Sequence, residues 1–282
     1  MVPTLSIVFM AVSMVICFVV PLGGLAFLLT RRDAGGGRRY PGVGRAFAAG
    51  MLAFGASQLL VRIPLMTLVV PRLPEPIASF LLSAPIASLT AGLFEETARL
   101  VVIVWLLRRF HRWVDGVAFG LGHGGLEAMV LVGLPMVNNL IIAVAINTGR
   151  LDSLTAALPA EQVTLLRTSL VGTDPWTFLL AGVERIGAIA FHVGMSVLVL
   201  WGVHRSRRLL AWVLAVVAHA ALNVSAVGLS RTGASPWLVE VVVLAWAVAA
   251  VLLVLRLRPA FPRNVEPDLR TLPAPTPNTP QP

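Results

Sequence analysis

Long apolar runs alternate with short arginine-rich connections along most of the chain. That pattern predicts an all-α, polytopic bundle of transmembrane helices. Seven spans are expected, at 4–30, 46–70, 78–108, 114–147, 176–204, 208–230 and 236–256. A crossing needs about 20 apolar residues. The segment 78–108 is therefore overlong, and its excess suits a re-entrant piece or a helix that continues past the bilayer. Asn138 and Asn139 mark an expected break in the fourth span. In the following connection, Leu165, Leu166 and Leu170 would line one face of a short interfacial helix, or help build an ordered outer cap.

Composition agrees with the pattern. Of 282 residues, 57% are hydrophobic and 12% charged, against about 25% charged in soluble domains. The formal charge of +9 would suit a nucleic-acid partner in a soluble protein. Here the arginines cluster between spans, which points to topology and lipid headgroups and away from nucleic acid. Arg31, Arg32, Arg38, Arg39 and Arg45 fill the first connection. Arg108, Arg109 and Arg112 fill the third, and Arg205, Arg207 and Arg208 the fifth. Arg256, Arg258 and Arg263 begin the tail. The alternate connections are poorer in arginine, so the N-terminus is expected outside and the C-terminus in the cytoplasm, with the cell membrane as location. The first run lacks a basic leader and reads as a retained helix. Cys17 stands alone, so one chain can form neither a disulfide nor a cysteine metal site. Residues 1–256 read as one transmembrane domain with its core at about 78–230, and 257–282 as a disordered, proline-rich cytoplasmic tail.

Polar residues inside the spans carry the chemistry. At about 1.5 Å per residue, Glu95 lies roughly 20 Å above the Arg108 end of its span. His123 and Glu127 lie roughly 15 and 21 Å above Trp113, and His192 roughly 18 Å above His204. His219 and Asn223 lie roughly 16 and 22 Å above Arg208. Four helices thus bring ionisable groups to one slab, where such groups are costly unless they face a cavity or one another. Glu95 with Arg99, His123 with Glu127, and His219 with Asn223 are each spaced to share a helix face. Arg99 can neutralise one of Glu95 and Glu96 and leave the other as a base for water. Two histidines and a carboxylate form a common open zinc set, and Asn223 can donate to an oxyanion. Outside this slab, Arg62 is expected to snorkel or to pair with an acid, and Glu184 with Arg185 to be structural.

The motifs bear a family resemblance. Glu95-Glu96-x-x-Arg99 resembles the EExxxR of the CAAX-protease and bacteriocin-processing superfamily, and Phe119-x-x-x-His123 and His219-x-x-x-Asn223 resemble its FxxxH and HxxxN. DGVAFGLGHGGLEA also resembles a helix of the PrsW proteases. EETARL, GLGHGGLEA, ERIGAIAFH and HAALN together most resemble the YhfC family of intramembrane proteases, over about residues 45–255. The resemblance implies hydrolysis of a membrane-associated protein or peptide. Glu95 or Glu96 would then activate water with Arg99 orienting the pair, beside His123, with His219 and Asn223 at the oxyanion. On the PrsW-like pattern, Glu127 and His192 would join His219 around a metal such as zinc. Buried acids and histidines also build proton relays, so a proton-coupled transporter is the competing reading, and a non-catalytic membrane scaffold a third.

Overall fold

The computed structural model describes residues 1–34 and 36–262. The described chain is helical, with an isolated bridge between Arg32 and Arg38 and no strand among the described residues. Helix α1 spans Thr4–Thr30. Helix α2, Val43–Phe54, continues through wide, π-type turns at Gly55–Arg62 and Leu65–Val69 to complete one crossing ending at Arg72. Helices α3, Glu75–Leu82, and α4, Ala84–Leu106, meet at a 66° bend. Helix α5, Trp113–Ala128, runs through a wide turn at Met129–Gly133 into α6, Leu134–Asn147. Two short helices follow, α7 at Leu151–Leu154 and α8 at Ala160–Gly172. Helices α9, Pro175–His204, α10, Arg208–Arg231, and α11, Pro236–Leu257, complete the bundle.

Six of these helical stretches are long and apolar enough to cross a membrane, and the bent α3–α4 pair brings the number to seven. The overlong third segment resolves into that bend. Ser83 is extended, with ψ 147°, and Pro85 follows two residues later. A helix running straight through would set the proline ring against the Leu81 carbonyl and lose a hydrogen bond. The fourth crossing breaks its regularity at Met129–Gly133, not at the asparagines, since α6 is continuous through Asn138 and Asn139. An asparagine side chain on a lipid-side or interfacial turn does not disturb the backbone ladder, whereas an inserted wide turn does.

Helix α9 is the axis of the fold. In its most apolar window 72% of residues are buried, against 22–33% for the other candidates, and it packs on α1, α4, α5, α10 and α11. The others present leucine and valine outward, as lipid-facing helices do. Glycines let α5 sit against both α2 and α9. A methyl group at Gly122 would lie 1.9 Å from the Phe47 carbonyl oxygen, and one at Gly120 2.3 Å from Val193 Cα. Small residues at such crossings are how apolar helices associate in lipid.

Helices α7 and α8 cap one end of the bundle. Leu170 is buried, and Leu166 packs partly into the same cluster as Leu151 and Phe178, while Leu165 is exposed. Val2 is tied to Asn147 through two hydrogen bonds of 2.7 and 3.0 Å, which fastens the N-terminus to the same end. At the opposite end, Asp115 accepts from the Arg112 backbone N–H at 3.0 Å and its guanidinium at 2.7 Å, closing the first turn of α5. The proline-rich tail expected at 257–282 lies, from residue 263 onward, outside the described residues.

Candidate metal centre

Helix α4 delivers Glu95, Glu96 and Arg99 into the bundle, all three buried. Arg99 pairs with Glu96. Its Nε donates to Oε2 at 2.7 Å and its Nη2 to Oε1 at 3.1 Å. The remaining donors reach α9, where Nη1 bonds the His192 carbonyl at 3.2 Å and the Ser196 hydroxyl, and Nη2 lies 2.9 Å from His192 Nδ1. A guanidinium buried without a fork of acceptors would be untenable, and α4 and α9 supply that fork together. Glu95 sits on the adjacent face with no guanidinium at ion-pair distance among the described residues.

Three histidines from three helices converge on Glu95 Oε2. His123 Nε2 lies 3.1 Å away, His219 Nε2 3.8 Å and His192 Nε2 4.0 Å. Each imidazole is buried, but their outer nitrogens differ. His219 Nδ1 lies 2.9 Å from Glu96 Oε1, so Nδ1–H donates a hydrogen bond to an ionised Glu96 and Nε2 keeps its lone pair. His192 Nδ1 faces a guanidinium, which can only donate, so that nitrogen accepts and the His192 proton sits on Nε2. His123 Nδ1 is buried with no hydrogen-bond partner among the described residues. Phe119 and Phe54 pack against the His123 ring, at centroid distances of 6.3 and 5.5 Å, and hold its plane.

The second face of the site belongs to Glu127. Its Oε2 is 2.6 Å from His192 Nε2, an ion-pair contact without linear hydrogen-bond alignment. Its Oε1 accepts from Arg185 Nη1 at 2.9 Å, and Arg185 also pairs with Glu184. Glu95, Glu127, His192, His219 and Asn223 all line one cavity of about 250 Å³, which also reaches Gln58 and Arg62. Such a space admits water and part of a peptide.

Donor atoms of Glu95, His123 and His192 lie within 4.8 Å of one another, and so do those of Glu96, His192 and His219. In the second group Arg99 already occupies Glu96 and the His192 nitrogen, and its charge would repel an ion. In the first group Glu95 and His192 line the cavity, and His219, which lines it too, places its Nε2 3.8 Å from Glu95 Oε2. Buried carboxylate and imidazole donors of this kind suit zinc. The Glu96-bound His219 fits a metal centre as well. A histidine that grips a metal through one nitrogen normally gives its other N–H to a carboxylate, as His219 gives its own to Glu96.

The structure gathers every polar group expected in the slab, with a different pairing. Arg99 holds Glu96, three residues away, and not Glu95, four away. Glu127 and His192 contact each other instead of spacing themselves around a common point. Their 2.6 Å separation is shorter than the roughly 3.3 Å between two donors on a tetrahedral zinc. Asn223 lies one turn beyond His219 at the cavity wall. Arg62 pairs with no acid at contact distance among the described residues. Its Nη2 donates to the Ala87 carbonyl at 2.6 Å. Arg185 turns inward to Glu127. Ser196 had a visible signal, lying one helical turn after His192. The reach of Arg185 across helices left none.

A family description, "YhfC intramembrane metalloprotease", matches residues 18–243. The chain is 34% identical over 226 residues to the "Uncharacterized membrane protein YhfC" of Bacillus subtilis (strain 168), covering 79% of this chain and 84% of that relative. No solved structure matches it.

Proposed function

We propose, since the chain belongs to the YhfC intramembrane metalloprotease family, that the Glu95–histidine cluster is its peptide-hydrolysing centre. The observation that carries this reading is the convergence of three imidazoles on one Glu95 oxygen, at 3.1 to 4.0 Å, beside a cavity in the bundle. The substrate is a membrane-associated protein or peptide, admitted from the bilayer as an unfolded segment. Arginine alternation supports a single domain of seven crossings in the cell membrane, with the N-terminus outside.

Glu95 and the Nε2 atoms of His123 and His219 would hold a zinc-class ion. When bound, such an ion polarises the scissile carbonyl and makes water a better nucleophile. The chain's own residues do the rest. Glu96 accepts a hydrogen bond from the Nδ1–H of His219 and so fixes its orientation, while Arg99 holds Glu96 and His192 in place. Glu127 takes a proton from the attacking water as its oxygen bonds to the scissile carbonyl carbon. That proton then passes to the amide nitrogen as the C–N bond breaks, leaving an acid and an amine. His192 Nε2–H and the Asn223 amide donate to the oxygen that gains charge.

This assignment exchanges the roles that the motifs alone suggest for Glu95 and Glu127. The reason is positional: Glu95 is ringed by imidazoles, whereas Glu127 stands at the cavity wall beside an N–H. Comparing Glu95→Gln with Glu127→Gln tests it. New protein N-termini would be mapped in membranes of cells producing each variant, alongside metal content of the purified chains. Both variants should lose the wild-type cleavages, and only Glu95→Gln should lose the metal. Wild-type cleavage by either folded variant would remove that residue from the centre. A transporter would instead show substrate-driven proton flux in vesicles and no new N-termini.

A further inference from the structure

The far wall of the cavity carries buried donors with nothing to bind. Gln58 is 3% exposed, and its Nε2 has no hydrogen-bond partner among the described residues. Its Oε1 is turned the other way, toward Arg62 Nη1 at 3.4 Å, so the amide N–H₂ is the free end. Arg62 Nε is likewise buried without a partner among the described residues. Arg62 Nη2 is anchored on α4, at the Ala87 carbonyl and at Thr90 Oγ1, 3.4 Å away. No carboxylate comes within 4.0 Å of Arg62 among the described residues. Both side chains line the same cavity as Glu95 and Glu127. A buried donor left unmade costs about 1–3 kcal/mol, and here two come from one short stretch.

That stretch is the wide turn Gly55–Arg62. Such turns are rare and concentrate at functional sites. The turn brings Gln58 and Arg62 together along one side while α4 fixes the guanidinium from behind. The other cavity arginine, Arg185, is spent on Glu127 and Glu184. Arg62 is therefore the guanidinium at this cavity whose charge no carboxylate answers at contact distance.

We propose that Gln58 and Arg62 form a carboxylate-binding subsite that sets substrate preference. It rests on the peptidase reading and names a feature of the substrate: a carboxylate on the segment that enters the cavity, either the terminal carboxylate of a chain or an acidic side chain. Arg62 supplies charge and an N–H, and Gln58 a second N–H, matching the two oxygens of the group.

The test uses three fluorescently labelled apolar hexapeptides. One ends in a free carboxylate, one in a carboxamide, and one in a carboxamide with an internal glutamate. Binding is read by anisotropy on the full chain in detergent, in a Glu127→Gln background so that turnover does not intrude. At least one carboxylate form should bind about tenfold or more tighter than the neutral form. Gain by the first alone assigns a chain terminus, and gain by the third alone an acidic side chain. Arg62→Gln should erase the difference and leave the neutral peptide unaffected. Arg62→Lys, which keeps the charge, should retain part of it, and Gln58→Leu should weaken the carboxylate forms alone. Equal binding of all three peptides, or a preference that survives Arg62→Gln, overturns the subsite. A preference found where the chain with Glu127 intact cleaves nothing would instead keep the subsite and remove the peptidase.

Discussion

Arg99→Met removes the cation on which the centre is built. Arg99 is wholly buried, and so is Glu96, which takes two of its hydrogen bonds at 2.7 and 3.1 Å. Without Arg99, the Glu96 charge keeps only the His219 contact at 2.9 Å. Removing one partner of a buried ion pair costs about 3–5 kcal/mol. His192 Nδ1 also loses its donor at 2.9 Å, adding about 1 kcal/mol or more. Ser196 loses little, since its hydroxyl still donates to the His192 carbonyl at 2.7 Å. The loss should therefore be about 4–6 kcal/mol, the sum of those two costs. Unfolding would be followed by tryptophan fluorescence as sodium dodecyl sulfate is titrated into mixed micelles. Neutralising the stranded acid as well, in Arg99→Met with Glu96→Gln, should recover about 2 kcal/mol, because the two residues are directly coupled. A single-variant loss below about 1 kcal/mol, the level of an exposed pair, would refute the reasoning. So would a double variant no more stable than the single one.

Other expectations follow from the same geometry. Gly122→Ala should cost about 2 kcal/mol or more in the same titration, because its methyl group would meet the Phe47 carbonyl at 1.9 Å. Gly228→Ala in α10, where nothing lies within 4 Å, should be neutral or stabilising by about 0.5 kcal/mol. Equal effects at the two sites would contradict the close helix crossing. Chelation should lower both the thermal midpoint and any cleavage, and zinc should restore them, measured on one preparation. His219→Ala should abolish metal binding while His192→Gln keeps it, by the protonation argument above; matched losses would return His192 to the ligand set.

The spans were readable because lipid demands long apolar runs, and a run of Leu, Val and Ala has few other uses. The slab of polar residues was readable for the same reason, since Glu95, His123, His192 and His219 have no business in hydrocarbon unless they meet. Their pairing was harder to read. Three- and four-residue spacings both place two side chains on one helix face, and Arg99 chose Glu96 because α9 supplies Ser196 and the His192 carbonyl on that side. Glu127 found its cation 58 residues away on α9, a separation no local pattern encodes. The bend at Ser83 did leave a trace in Pro85. The wide turns left less: Gly55 opens one of them, yet a glycine in an apolar run more often marks close packing. The Gln58–Arg62 subsite depends on that turn and so stayed out of sight.

The central claim is that the buried Glu95–histidine cluster is a metal-dependent hydrolytic centre. Elemental analysis of the purified, folded chain tests it most directly, with Glu95→Gln, His123→Ala and His219→Ala alongside. The account predicts near-stoichiometric zinc in the wild type and its loss in all three variants. Wild-type protein that is folded and cleaves peptide without metal, or variants that keep the full complement, would contradict it.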